Sequence, residues 1–350
     1  MGSTKLLITG ATGYIGGSVL STLLASSNPQ IKDLTITALV RKPEHVELLK
    51  KKGVNGVIFT GLDDIEAVRK AASQNDIVVN TAIAYHAKAA EAIIDGLADR
   101  QRETGKPAHL IHTSGTSSLG DRPITGTYTE TRVFSDLKDD IYAYERQRED
   151  LEQYPQRTTD LVVFEKGEAA GVKTYILMSP TIYGIGSGFF NRTSIQIDAI
   201  MRAAKKQGHT SVMGPGAAQW DHVHIDDLVQ LYELVVAKLL RGDALPANKK
   251  GLYFNETGHH TWREVSEQVA RTGRAAGFLP TDEVRELPLA AAADAFGGKT
   301  LPPEFAELGF ASRARTTADL AREIGWSPKK TRKDFEDSFA EEWKVIGNEL

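Results

Sequence analysis

Short apolar runs alternate with amphipathic stretches along most of the chain. Lys5-Leu6-Leu7-Ile8-Thr9 is apolar between turn residues, the pattern of a strand buried on both faces, and Ser18-Val19-Leu20-Ser21-Thr22-Leu23-Leu24 then shows helical apolar spacing. Further strands are predicted at 34–40, 56–60, 76–82, 108–113 and 172–178. Helices separate them, one opening at Ile65, one from His86 to Arg102 and one from Thr158 to Ala170. This alternation predicts an α/β fold built on a doubly wound parallel sheet. Residues 120–156 loosen into a polar region that is helical in its second half, and the run Ala290–Ala295 reads as packed helix. The pattern divides the chain into a sheet domain, residues 1–183 completed by 215–255, and a smaller C-terminal lobe, 184–214 with 256–350.

The turn after the first strand carries candidate chemistry. Gly10-Ala11-Thr12-Gly13-Tyr14-Ile15-Gly16 joins strand to helix with glycines three apart. In a Rossmann-type unit Gly10 allows the tight turn, Gly13 lets the backbone approach a pyrophosphate, and Gly16 lets the helix pack close to the strand. Amides at the helix start, with Thr12, Tyr14 and Ile15 around them, would hold the anion. The second strand ends in Arg41-Lys42-Pro43, where an NAD site usually carries Asp or Glu for the ribose 2′-hydroxyl. A cation there can pair with a 2′-phosphate, so Arg41, with Lys42 beside it, points to NADP(H).

Composition narrows the partners. Of 350 residues, 41% are hydrophobic and 25% charged, which suffices for a sizeable core. The 42 Lys+Arg against 46 Asp+Glu leave a formal charge of −4, so no chain-wide basic field exists for nucleic acid or an anionic membrane. With no stretch of membrane-spanning length and no secretory signal, the sequence predicts a cytoplasmic protein. The absence of cysteine removes disulfides, thiolate nucleophiles and Cys-ligated metals. His109 and His112 fall on opposite faces of a strand, and His222 and His224 precede a helix-opening Asp226-Asp227. Both sets read as structural donors, and no metal site is expected.

Four motifs in order resemble the extended and atypical short-chain dehydrogenase/reductases. They are the glycine loop, Pro180-Thr181-Ile182-Tyr183-Gly184 after the sixth strand, Val223-His224-Ile225-Asp226-Asp227, and the late Gly325-Trp326-Ser327-Pro328. The likeness is strongest to fungal proteins of NAD-dependent epimerase/dehydratase type, and spans about residues 4–330. It implies that Leu62 and Asp63 touch the adenine, with Asp63 or Asp64 as a helix cap the other reading. It also implies that small Ala82 leaves room for the cofactor, that Thr113, Pro180 and Ile182 border the nicotinamide, and that Tyr85, Asn191 and Gln196 meet the substrate.

The same resemblance exposes a gap. Its reductases donate a proton from a tyrosine, and a lysine four residues later holds the ribose and lowers the phenol's pKa. None of the ten tyrosines here has Lys at that spacing; Tyr128, Tyr142 and Tyr144 have Arg132, Arg146 and Arg148 instead. On the helix before the sixth strand, Arg157 falls near the tyrosine position and Leu161 near the lysine position. Ser114 and Thr116, which flank Gly115 after the fifth strand, and Tyr183 are then the candidate catalytic hydroxyls. The expected function is an NADPH-dependent oxidoreductase of carbonyl reductase type with a small-molecule carbonyl substrate. The alternatives are a redox-neutral epimerase, dehydratase or cyclase using bound NADP, and a non-catalytic NADP(H)-binding regulator. The family also suggests a homodimer through the helices at 86–102 and 140–170.

Overall fold

The first apolar run forms strand β1 (Lys5–Thr9), whose Leu6, Leu7 and Ile8 are fully buried because helices cover both faces of the sheet. In the computed structural model, which describes residues 3–298 and 301–349, the chain continues through α1 (Tyr14–Ala25), α2 (Pro29–Lys32), β2 (Thr35–Val40), α3 (Pro43–Lys51), β3 (Asn55–Ile58), α4 (Ile65–Ser73) and β4 (Ile77–Asn80). Next come α5 (Ala87–Thr104), β5 (His109–Gly115), a 3₁₀ turn (Thr116–Leu119), β6 (Phe134–Ser135), α6 (Ile141–Leu151), α7 (Pro155–Ala170), β7 (Lys173–Ser179) and β8 (Thr181–Tyr183). The remainder comprises α8 (Gln196–Gln207), β9 (Thr210–Met213), β10 (Gln219–His224), α9 (Ile225–Arg241), β11 (Leu252–Phe254), β12 (Gly258–Thr261), α10 (Trp262–Ala275), β13 (Val284–Leu287), α11 (Leu289–Gly297), α12 (Pro303–Phe310), β14 (Thr316–Thr317), α13 (Asp319–Glu323) and α14 (Arg332–Glu349).

Seven strands pair in parallel in the order β3-β2-β1-β4-β5-β7-β11, a Rossmann-type sheet. Helices α1 and α9 pack together, as do α4, α5 and α7, so the sheet is covered by helices. The strand order turns back between β1 and β4, which opens a crevice beyond their C-terminal ends.

Two large hydrophobic cores follow, with a small third around Trp220 and Trp262. The first takes in the sheet and reaches past the expected segments to Ala318, Leu320, Ala321 and Trp326. The second joins Tyr183, Ile197, Met201 and Val269 to Phe335, Phe339 and Trp343 of α14. Between β5 and α6 the polar region is anchored from afar. Strand β6 pairs with β14, and half-buried Asp136 accepts from the amides of Phe254 and Leu320, both at 2.8 Å. No helix among the described residues is long and apolar enough to cross a membrane, and no group of three potential metal ligands lies together among them.

Buried titratable groups give stability a pH dependence. Burial raises Asp136 to about 6, Glu256 to about 7, where it outweighs the Arg322 guanidinium, and Glu342 to about 8. Each keeps a proton that the unfolded chain releases near pH ~4, so its contribution shrinks as pH climbs to the folded value. Burial lowers His109 and His112 to about 4 and His222 to about 3, and their contribution shrinks as pH falls below ~6.5. Above that value the histidine contribution is complete and constant, while Glu256 and Glu342 still titrate. Calorimetry should therefore show a melting temperature several degrees lower near pH ~8 than near pH ~6. Equal values would contradict these assignments.

Candidate functional site

Glycine geometry shapes the crevice. Gly10 leaves β1 at φ +74°, where a Cβ would stand 2.7 Å from the Thr81 carbonyl carbon. A Cβ on Gly16 would lie 2.2 Å from Thr81 Oγ1 and 2.4 Å from the Gly10 carbonyl oxygen. Helix α1 thus starts tight against the β1–β4 junction. Its N-cap, Gly13, has no side chain to cap it, which leaves the amides of Tyr14, Ile15 and Gly16 without partners inside the helix. Clustered N–H groups at the positive end of a helix dipole fit a pyrophosphate. Thr12 is half-buried, and its carbonyl accepts from the Asn191 amide at 3.3 Å.

At the far end of the crevice, exposed Arg41 follows β2 and has no ion-pair partner among the described residues. Lys42 stands 3.9 Å from Glu44 and is the N-cap of α3, again without a side-chain cap. Leu62 is half-buried. Asp63 is exposed and accepts from His86 Nε2 at 3.1 Å, while Asp64 caps α4. Half-buried Ala82 and exposed Tyr85 form the lip beyond β4.

Several residues expected at the ligand are turned elsewhere. Tyr183 is fully enclosed, edge-on to His222, His224 and Phe335, and its hydroxyl has no partner. The candidate catalytic phenol therefore lies inside the second hydrophobic core, closed off from solvent. Replacing it with Phe removes an orphan hydroxyl, so Tyr183→Phe should leave any activity unchanged and be neutral or stabilising by up to ~1 kcal/mol in denaturant unfolding. The Thr113 hydroxyl meets Tyr232 of α9 at 2.5 Å, because strand alternation points it away from its neighbour Ser114. Gln196 spends both ends of its amide, on Thr181 at 2.9 Å and the Gly309 carbonyl at 2.5 Å. Asn191 folds its side chain onto Thr193 in a local turn. Pro180 is buried and Ile182 half-buried in the β7–β8 segment, and Tyr14 donates to the Gly184 carbonyl at 2.7 Å, tying that segment to α1.

The hydroxyls after β5 also sort unexpectedly. Ser114 is buried and donates to Asp160 Oδ2 at 2.7 Å, and Thr116 is buried with its hydroxyl unpaired. Both are closed off from solvent. Ser117 is half-exposed, because the 3₁₀ turn rotates the chain as it leaves the strand. Its Oγ accepts from Tyr154 OH at 3.1 Å and from Gln156 Nε2 at 3.0 Å. The Gln156 amide also reaches the Gly115 carbonyl at 2.6 Å and Ser118 Oγ at 3.2 Å. Tyr154 is the N-cap of α7, its ring packed on Phe305 of α12 with the Arg157 guanidinium nearby. Arg157 itself is buried, bonded to the Ser118 and Glu152 carbonyls. Reading α7 from Thr158 hid this arrangement. Pro155 at the first helical position was the signal that the helix begins earlier and that Tyr154 sits at its mouth.

Residues 6–245 match the model of the NAD dependent epimerase/dehydratase family. The chain belongs to this family. Among curated relatives it is 27% identical over 317 residues to "Oxidase ucsJ" of Acremonium sp, covering 83% of this chain and 84% of that one. It is 24% identical over 337 residues to the uncharacterized protein YLL056C of Saccharomyces cerevisiae, covering 93% and 95%. The fold matches DesIV, a dTDP-glucose 4,6-dehydratase from Streptomyces venezuelae solved with NAD, at TM-score 0.66 and 16% identity over 98% of this chain and 97% of that one. It also matches vestitone reductase from alfalfa at TM-score 0.61 and 16% identity, over 98% and 99%.

Proposed function

We propose that this family member is an NADP(H)-dependent oxidoreductase that reduces a carbonyl on a small organic molecule, with Ser117 and Tyr154 as its working hydroxyls. The observation that carries the reading is their 3.1 Å hydrogen bond at the C-terminal end of β5, in a fold whose glycine loop is cleared for a dinucleotide. A bound nicotinamide supplies the hydride. Gly10, Gly13 and the amides of residues 14–16 would hold its pyrophosphate, and Arg41 with Lys42 the 2′-phosphate.

The chain's own residues handle the oxygen. Ser117 Oγ already accepts two hydrogen bonds, which occupy its lone pairs and leave its proton to donate to a carbonyl. Burial raises the Tyr154 phenol above its ordinary value, against a smaller lowering by Ser117 and Arg157. The phenol therefore stays protonated at neutral pH, which suits a donor to an oxygen gaining negative charge. A base for proton abstraction, as epimerisation needs, would require the opposite shift. The oxidase relative at 27% identity also supports a net redox role.

The test is NADPH consumption against a panel of aldehydes and ketones. A protein that binds NADPH yet turns over none of them would belong to the redox-neutral or regulatory classes. Arg41→Ala should weaken NADPH binding about tenfold to a hundredfold, the worth of a charge-assisted hydrogen bond, and leave NADH binding unchanged in calorimetric titration. An equal loss for both cofactors would remove the 2′-phosphate assignment.

A further inference from the structure

Beneath the serine turn lie two carboxyl groups that the hydroxyl pair does not use. Asp160 on α7 and Glu145 on α6 are both fully buried. Asp160 Oδ2 accepts from Ser114 at 2.7 Å and Ser118 at 3.1 Å. Asp160 Oδ1 and both Glu145 oxygens find no donor, although α6 packs on α7 and each carboxyl group acts on the other. His112 does not fill the gap. Asn80 accepts from Thr9 through Oδ1, so its amide donates to His112 Nδ1, and the imidazole proton sits on Nε2, 3.9 Å from Asp160. Arg157 and Glu149 are the other charged groups acting on Glu145, and Arg157 also acts on Asp160; the Arg157 guanidinium is bonded to the Ser118 and Glu152 carbonyls and to Glu149, and its Nη2 reaches neither carboxyl group.

Two neighbouring carboxylates without donors repel and leave buried oxygens unsatisfied, while one proton between them removes the repulsion and engages one oxygen of each. We propose that Glu145 and Asp160 share one proton, Glu145 as acid and Asp160 as carboxylate, and that this pair is the positioning element that sets the serine turn. Asp160 stands beside Leu161, next to the place where the resembled reductases carry lysine. Its charge fixes Ser114 and Ser118, and Gln156 carries that order from Ser118 to Ser117. Loss of the proton at alkaline pH sets two charges against each other below the turn and loosens it. The positioning role rests on the reading of Ser117 as a working hydroxyl; the shared proton does not.

Infrared spectra of the cofactor-free full-length protein test the proton without any assay. The wild-type-minus-Glu145→Gln difference spectrum at neutral pH should show the loss of one protonated-carboxyl C=O band, because the new amide replaces the acid as donor, while the absorption of protonated Glu256 and Glu342 cancels. Should that variant fail to fold, Asp160→Asn serves, because Glu145 can then ionise and accept from the new amide. A band unchanged in the variant overturns the shared proton. Given turnover, Glu145→Gln should match the wild-type kcat at neutral pH and lose the alkaline fall in kcat, with KM for NADPH unmoved. An alkaline limb identical to the wild type overturns the positioning role. If no carbonyl is turned over, the infrared result still stands, which separates failure of this pair from failure of the reductase reading.

Discussion

Gly16→Ala should abolish nucleotide binding. The new Cβ meets Thr81 Oγ1 at 2.2 Å and the Gly10 carbonyl at 2.4 Å, and the latter is backbone at the end of β1 that no rotamer change can clear. Helix α1 must move away from the sheet, and it takes the amides of residues 14–16 with it. Displacement of about 1 Å at a pre-organised site costs on the order of a hundredfold. NADPH fluorescence titration should accordingly show at least that loss. Gly53→Ala is the control, since Gly53 also has positive φ, +79°, but nothing lies within 4 Å of its Cβ position. It should cost only about 1–2 kcal/mol of stability and leave binding intact. Affinity for NADPH within about threefold of wild type in Gly16→Ala would mean that the loop is not the cradle.

Removing either working hydroxyl should produce the other large effect. Ser117→Ala deletes the proposed carbonyl donor, and Tyr154→Phe deletes the phenol that donates to it. Loss of one pre-organised donor to a developing oxyanion costs about 10²–10³ in kcat. Both variants should show a loss of that size with NADPH binding preserved, because neither residue lies on the glycine loop. The double variant should be little worse than either single one, since the two hydroxyls act through one hydrogen bond. Near-wild-type turnover in both singles would return the search to other donors. Ser114→Ala distinguishes the two layers: its hydroxyl faces Asp160, so it should act through loosening of the turn and fall short of the Ser117 effect.

The fold was legible because its signals are local. Leu6-Leu7-Ile8 is apolar throughout and the runs at 34–40 and 172–178 are mostly so, as strands covered on both faces require, and the helices between them carry their own period. The glycine spacing was legible for the same reason: turn, close approach and helix start fall within seven consecutive residues. The polar region 120–156 was not. Strand β6 is two residues long and exists through β14, some 180 residues later. Likewise, placing residues 318–326 in the first core depends on packing that no local period records.

For the site, the sequence determined that hydroxyls would cluster after β5, that no Tyr-x-x-x-Lys pair exists and that a cation follows β2. Tertiary structure decided which hydroxyl stays accessible. Ser114, Thr116 and Ser117 differ by at most three positions, yet one is bound to Asp160, one is buried unpaired and one is half-exposed beside Tyr154. Side-chain direction at a strand end is set by the turn that leaves it and by the helices packed beneath it. Here those are a 3₁₀ turn and the α6–α7 pair, whose Glu145 and Asp160 come from separate helices. Spacing along the chain fixes which groups are near; only packing between distant segments fixes which way they point.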